Sequence, residues 1–246
     1  MITQVFGFIV TFLYTIVQIV AENTSIRLHK TGKTLSTDQP ESSSENVAVS
    51  KDEIYQFVTV FGGSHNEYGR ALCQKFAKKP HIFVINIDSP NGYFSRLPVS
   101  KYLQIDCTDF AKFELLEECI DKMENVICAT KRSMYPSTIL VLNNIDIGVD
   151  NIGGNRGILE EKFSIFMHTT TCNATNVMLI FKEIIQRFQE NHCLYLINIS
   201  NVVGLYPRNY KDHSYAYSCS KAAVIQLHQS LTYEENKTKK TSSKGI

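Results

Sequence analysis

The sequence lacks any closely spaced pair of cysteines. Its seven cysteines are scattered along the chain, at positions Cys73, Cys107, Cys119, Cys128, Cys172, Cys193 and Cys219. Zinc ligands come at short, regular spacings, and a disulfide framework uses an even number of cysteines. The sequence therefore predicts reduced thiols and no metal site.

The chain also lacks an excess of charge of either sign. Its 25 basic and 24 acidic residues give a formal net charge of +1 over 246 residues. A nucleic-acid surface needs a strongly basic face, so the balance argues against nucleic acid as a partner. A basic run at residues 237–244 is explained by a short solvated tail. The length is enough for one well-filled core.

Charge is absent altogether from residues 5–20, an apolar stretch at the N-terminus. It is at the short limit of the roughly 20 residues that a membrane span needs, and it has no basic residues before it, as a signal peptide would. Arg27, Lys30 and Lys33 follow it, which favours an anchor with the rest of the chain on the cytoplasmic side. We therefore predict a signal or, preferably, a membrane-anchor segment over residues 1–22.

This leader sets the expected location of the protein. We expect the cytoplasmic face of a membrane, with the endoplasmic reticulum as one candidate, or the cytoplasm if the leader is not retained. Four glycosylation sequons (Asn23, Asn173, Asn198 and Asn236) would suit a secreted chain, yet Asn198 closes a strand that we predict to be buried. Residues 23–50 are rich in serine, threonine and acid and predict a disordered linker. The folded domain is expected over residues 51–246.

The domain opens on a strand, a glycine-rich turn and a helix. Apolar residues 57–61 lead into Gly62 and Gly63, and Gly69 precedes an amphipathic segment. Glycines allow a backbone to approach a pyrophosphate, and a helix N-terminus offers unpaired N–H groups to it. The alternative is an ordinary tight turn, because the loop is longer than the usual pattern and lacks its middle glycine.

Acidic residues close the next two strands. Asp88 follows the apolar residues 81–87, where a carboxylate can bind the adenosine ribose hydroxyls and repel a 2′-phosphate. NADH is therefore the expected cofactor and NADPH the less favoured one. The alternative role of Asp88 is to open a turn through residues 88–92. Asp106 closes a third strand, residues 102–105.

A tyrosine and a lysine four residues apart follow the last predicted strand, residues 194–199. Tyr217 and Lys221 share one face of a helix whose apolar positions continue with Val224, Leu227 and Leu231. A neighbouring ammonium stabilises a phenolate, so we expect Lys221 to lower the pKa of Tyr217 and make the phenol a usable proton donor. The alternative is an amphipathic helix with a surface lysine.

This order of motifs resembles the short-chain dehydrogenase/reductase superfamily. The resemblance implies a doubly wound parallel sheet of Rossmann type, with Tyr217 as proton donor and Lys221 also holding the nicotinamide ribose. It places Asp106 near the adenine amino group. A fourth strand is predicted over residues 138–142. The superfamily's Asn-Asn-Ala-Gly turn corresponds to Asn143, Asn144, Ile145 and Asp146 after it, with the Ala-Gly lost, and the resemblance implies that Asn143 contacts the cofactor. The chain stops where a complete member would begin its sixth strand, so the C-terminal strands are expected to be missing.

Two polar positions of the superfamily are altered. Its carbonyl-binding serine corresponds to Asn201 rather than to Ser200 when residues 202–204 are matched to the pattern. Its relay asparagine lies in a helix that we predict over residues 160–190, where Thr170 comes nearest the expected place. Asn173 is close in sequence, but we expect it on the wrong face.

Within the superfamily the chain is most similar to dihydropteridine reductase. The short segments that match are residues 61–63, Asp88, the Gly-Gly-Asn at 153–155 and residues 224–231. The resemblance implies NADH-dependent reduction of a quinonoid dihydropterin by a homodimer, paired through the helix at 160–190 and the helix of Tyr217. The absence of any tryptophan counts against this substrate, because that family stacks its pterin on one.

Two alternatives remain. The longer loop between Gly204 and Tyr217 is similar to that of the Sniffer and C-factor carbonyl reductases, which would make a carbonyl the substrate. The other alternative is a catalytically inactive relative that acts by dimerising.

Overall fold

The computed structural model describes residues 56–64, 66–90, 101–130, 137–147, 161–205 and 214–242, with side chains to residue 234. The predicted leader, the linker and the Gly-Gly-Asn at 153–155 lie outside these residues. Among the described helices, none is long and apolar enough to cross a membrane.

The described residues form five strands, each close to its predicted place. The strands are β1 (Gln56–Phe61), β2 (Ile82–Asp88), β3 (Tyr102–Asp106), β4 (Thr138–Asn143) and β5 (Cys193–Asn198). All pairings are parallel, in the order β3-β2-β1-β4-β5. Strands buried on both faces read as nearly continuous apolar runs, which is why they stood out in the sequence. The predicted parallel α/β sheet of Rossmann type is confirmed.

Helices cover both faces of this sheet. They are α1 (Glu67–Ala77), α2 (Phe113–Thr130), α3 (Phe163–Thr170), α4 (Asn176–Phe188) and α5 (Tyr215–Ser242). One π-helical turn, Thr171–Thr175, joins α3 to α4, so the helix predicted over residues 160–190 is interrupted. Helix α5 extends into the basic run that we predicted to be a tail.

The core is divided by the sheet into two apolar clusters. On one face, Leu72 and Phe76 of α1 pack on Val58, Val84 and Leu142. The cluster on the other face is larger and is covered by α2, α4 and part of α5, with Phe57, Phe61, Ile120, Phe181 and Phe188 among its fully buried side chains.

Because all strands are parallel and in register, their carboxyl ends meet at one edge: Phe61 pairs with Asn143, Asn143 with Asn198, and Asp88 with Asp106. The candidate site lies at this edge.

Candidate active site

A cleft of about 280 Å³ opens at the carboxyl ends of β1, β2 and β4. Its walls come from the glycine turn, the end of β2, the loop after β3, the segment after β4 and the end of α3. The lining residues are Gly62, Asp88, Ser89, Thr108, Asp109, Phe110, Ile145, Asp146, Ile147, His168 and Cys172. Of the predicted site residues, Gly62 and Asp88 line it directly.

The glycine turn is held in a shape that only glycine permits. Gly62 has a φ of +78°, and a Cβ on it would lie 2.7 Å from the Asn144 carbonyl oxygen. A Cβ on Gly69 would lie 2.5 Å from the Gly63 carbonyl oxygen. The Asn66 side chain caps α1 by accepting from the Gly69 amide at 2.9 Å. Gly62 thus presents bare backbone to the cleft, and α1 begins five residues later, the strand–turn–helix order of a phosphate site.

Two asparagines to which the sequence analysis assigned no role, Asn144 and Asn86, hold this turn. The Asn144 amide nitrogen donates to the Gly62 carbonyl at 2.7 Å and to Asn66 Oδ1 at 3.0 Å. Asn86, near the carboxyl end of β2, accepts from the Gly63 amide at 2.9 Å and donates to Ser64 Oγ at 2.8 Å. Both side chains are buried. A buried asparagine at the end of an apolar strand was the signal available in the sequence.

Asn143 lies elsewhere. Its amide donates to Asn198 Oδ1 at 2.9 Å, and its Oδ1 accepts from the Ile145 amide at 3.2 Å. Asn143 is buried and is not part of the lining of the cleft. Its observed contacts tie the end of β4 to the end of β5.

The carboxylate of Asp88 is enclosed. Its two oxygens accept from the backbone amides of Ser64, in the glycine turn, and of Ser89. Asp88 itself is fully buried. Asp106 differs: its side chain is exposed and accepts from Gln104 at 2.9 Å, and it is not in the lining of the described cleft.

Tyr217 and Lys221 meet at Asp146. Asp146 Oδ1 accepts from the Tyr217 hydroxyl at 2.8 Å and lies 2.8 Å from Lys221 Nζ. Lys221 also donates to the Ile145 carbonyl at 3.1 Å, and its Nζ lies 5.3 Å from the centre of the Tyr217 ring. Tyr217 and Lys221 are buried, whereas the Asp146 side chain is 39% exposed. The sequence offered Asp146 only as a departure from a motif, and we had assigned it no role.

The predicted effect on the phenol of Tyr217 is wrong in sign. Burial raises the pKa of Tyr217, and the Asp146 carboxylate, which is both a nearby negative charge and the acceptor of the hydroxyl proton, raises it further. A hydrogen bond from Asn201 works in the opposite direction. In this arrangement the phenol is therefore held protonated, because the charge of Lys221 is directed at a carboxylate.

Asn201, rather than Ser200, reaches the Tyr217 hydroxyl. Its amide nitrogen donates to that oxygen at 3.3 Å, and its Oδ1 accepts from the Val203 amide. The Ser200 hydroxyl donates instead to the Lys221 carbonyl at 3.1 Å. Asn201 thus lies at the Tyr217 hydroxyl, and Ser200 is a contact of the α5 backbone.

The expectation for Thr170 and Asn173 is reversed. Thr170 Oγ1 donates to the Phe166 carbonyl of its own helix. Asn173 is fully buried in the π-helical turn; its Oδ1 accepts from the Ile147 amide at 2.9 Å, and its amide donates to the Ile147 carbonyl and to Ser220 Oγ, both at 3.1 Å. A π turn shifts the helical phase that a 3.6-residue period assumes. Asn173 therefore faces α5 and the site.

Among the described residues, no group of three or more histidine, cysteine, aspartate or glutamate side chains could hold a metal ion.

The comparison with protein families decides the classification. Residues 56–241 match the short chain dehydrogenase family. The chain belongs to this family. A relative from Saccharomyces cerevisiae, oxidoreductase-like protein SRL4, is 29% identical over 72% of this chain and 65% of its own length.

Solved structures share the fold. A short-chain dehydrogenase/reductase from Burkholderia vietnamiensis superposes with a TM-score of 0.59 at 11% identity, covering 74% of this chain and 80% of its own. A 3-ketoacyl-(acyl-carrier-protein) reductase from Brucella melitensis, complexed with NADH, gives 0.57 at 15% identity, covering 74% and 70%. A family member from Francisella tularensis gives 0.56 at 17% identity, covering 75% and 65%. The chain thus spans about two thirds of the length of the yeast and Francisella relatives.

The π-helical turn predicts a difference between Asn173 and its neighbour. Asn173→Ala should lower the free energy of unfolding by about 2 to 4 kcal/mol, because it leaves the partly buried amide and carbonyl of Ile147 and the buried hydroxyl of Ser220 without their side-chain partner. Thr170→Val should cost less than about 1 kcal/mol, since Thr170 bonds only within its own helix. Urea denaturation followed by circular dichroism measures both. Equal losses would mean that the two side chains have been placed in the wrong positions.

Proposed function

We propose that this chain is an NADH-dependent reductase in which Tyr217 gives a proton to the substrate. The observation that carries the proposal is the Tyr217–Lys221 pair, buried at the same sheet edge as the glycine turn. When bound, NADH supplies the hydride. The chain's own residues bind and orient the cofactor and supply the proton.

The adenosine half of the cleft fits such a cofactor. The Gly62 backbone has no side chain between it and the cleft, and the N-terminus of α1 supports binding of the pyrophosphate. Asp88 lines the same cleft at the end of β2, where it would accept from a ribose hydroxyl. At the other half, Lys221 would hold the nicotinamide ribose and Tyr217 would face the reacting atom, with Asn201 orienting the hydroxyl.

For the substrate we propose a quinonoid dihydropterin. The support is the set of sequence words shared with dihydropteridine reductase, which include Phe61, Gly62, Gly63 and Asp88. Asn201 in place of a serine at the Tyr217 hydroxyl agrees with a reaction that relies on the Tyr-Lys pair alone. The absence of tryptophan counts against the pterin, so a reactive carbonyl is the comparison substrate.

A second candidate is favoured by one contact. Asp146 engages both Tyr217 and Lys221 in this structure, as expected of an inactive relative that acts by dimerising. Measurable turnover by the unmodified chain would exclude it.

Replacement of the proton donor tests the mechanism. Tyr217→Phe should reduce the rate of NADH oxidation with quinonoid dihydropterin by about 10²- to 10⁴-fold, because the proton donor is lost. The phenylalanine ring still packs in the same place. NADH affinity, measured by fluorescence titration, should stay nearly unchanged. Tyr215→Phe, on the exposed first turn of the same helix, is the matched control and should keep full activity. A Tyr217→Phe protein that still turns over would show that another group donates the proton.

Cofactor preference tests the role of Asp88. NADH should bind more tightly than NADPH, because the carboxylate at the cleft repels a 2′-phosphate. Asp88→Asn should narrow the difference and is preferable to alanine, since an amide oxygen can still accept from Ser64 or Ser89. Asp106→Asn, at the end of the adjacent strand, is the control and should leave the preference intact. Calorimetric titration of both cofactors decides it; a wild type that prefers NADPH refutes the assignment.

We also propose a homodimer that pairs the α3–α4 face of two copies. Phe163, Met167 and Met178 expose 78%, 45% and 47% of their surface there, which is costly for large apolar side chains in water. Phe163→Glu combined with Met167→Glu should give a monomer by analytical ultracentrifugation, because a charge in an apolar interface is destabilising. Leu205→Glu, at another exposed apolar position, should remain dimeric. A wild type that sediments as a monomer would contradict the proposal.

A further inference from the structure

A carboxylate in the lining of the cleft, that of Asp146, engages the two groups that the proposed mechanism uses as donors. One oxygen of Asp146 accepts from the Tyr217 hydroxyl at 2.8 Å and pairs with Lys221 Nζ at 2.8 Å. The same Nζ donates to the Ile145 carbonyl at 3.1 Å. Two of the three protons of the ammonium and the proton of the phenol are therefore already engaged.

A neutral ribose hydroxyl competes poorly with this carboxylate. Hydrogen bonds between ionised groups are shorter and about twice as strong as neutral ones. Lys221 is only 2% exposed, and its ammonium is fixed between the Asp146 carboxylate and the Ile145 carbonyl. The carboxylate is the movable member of the group, since 39% of the Asp146 side chain is exposed at the rim.

We infer that Asp146 is an internal competitor for the nicotinamide ribose and that the cofactor must displace it from Lys221 and Tyr217. This inference rests on the proposed function and adds a residue that sets cofactor affinity. Displacement has a cost, which lowers the affinity for any ligand that carries the second ribose. Removing the carboxylate should remove that cost.

The competition is confined to one half of the site. The glycine turn is held by Asn144 and Asn66, and the Asp88 carboxylate by Ser64 and Ser89. A ligand that ends at the pyrophosphate does not need Lys221 or Tyr217. ADP therefore reports on the adenosine half alone, whereas NADH reports on both halves.

The test is calorimetric titration of NADH and of ADP into the wild-type chain and into Asp146→Asn, Asp146→Ala and Asp109→Asn. Both Asp146 variants should bind NADH about tenfold to a hundredfold more tightly, the worth of one charged hydrogen bond. Their affinity for ADP should remain that of the wild type. Asp109→Asn also removes a negative charge from the cleft wall, so it measures the general effect of charge and should change the ratio of NADH to ADP affinity by less than about twofold.

The outcomes separate the inference from the proposed function. If ADP binds but both Asp146 variants bind NADH no more tightly than the wild type, the competition is wrong and the cofactor site stands. Weaker NADH binding by both variants would make Asp146 a ribose ligand and would also overturn the inference. If no protein binds either ligand while circular dichroism shows all of them folded, the proposed function fails and the inference falls with it.

Discussion

The parallel pairing of β1 with β4 determines where the candidate site residues lie. Its register sets Phe61 against Asn143, so the turn after β1 runs directly beside the turn after β4. Gly62 must then be a glycine, because a Cβ would lie 2.7 Å from the Asn144 carbonyl oxygen. The same pairing carries Ile145 and Asp146 to the foot of α5, although some 70 residues separate them from Tyr217 in the sequence. One strand pairing thus joins the glycine turn to the Tyr-Lys pair.

Three buried asparagines hold this edge of the sheet. Asn86 and Asn144 bind the glycine turn, and Asn173 binds both backbone groups of Ile147. Each amide satisfies backbone groups that leave the strand ladder as the chain turns away, where an unpaired buried group would cost about 1 to 3 kcal/mol. These hydrogen bonds fix the backbone of the turns that form the walls of the cleft. Gly204 adds a close contact between backbones. A Cβ there would lie 2.6 Å from the Lys221 backbone, so the turn after β5 packs directly against α5.

The sequence predicted what depends on periodicity and missed what depends on contacts between distant segments. Strands buried on both faces and the turn at Gly62 and Gly63 have local signals, and all were found within about two residues. Asn173 was placed on the wrong face because an uninterrupted helical period was assumed across a π turn. The sign of the pKa shift of Tyr217 was wrong because the i,i+4 spacing revealed Lys221 and not Asp146. No spacing rule brings a residue of the β4 turn to a helix so far along the chain.

Asp146 Oδ1, which contacts both Tyr217 and Lys221, would couple the proposed binding of the cofactor to the acid strength of the Tyr217 phenol. The bonds from Tyr217 and Lys221 end on the same atom, so a ligand that displaces this carboxylate from the ammonium also removes it from the phenol. The pKa of Tyr217 then loses both contributions of Asp146 that raise it, and keeps the one due to burial. The freed ammonium lies 5.3 Å from the ring centre and becomes the dominant charge beside the hydroxyl. The phenol would thus be a weak acid while Asp146 accepts its proton in a hydrogen bond, and a stronger one when a nicotinamide ribose has taken the place of that carboxylate. Proton donation would therefore follow cofactor binding, because the Asp146 carboxylate leaves the Tyr217 hydroxyl when it is displaced from Lys221.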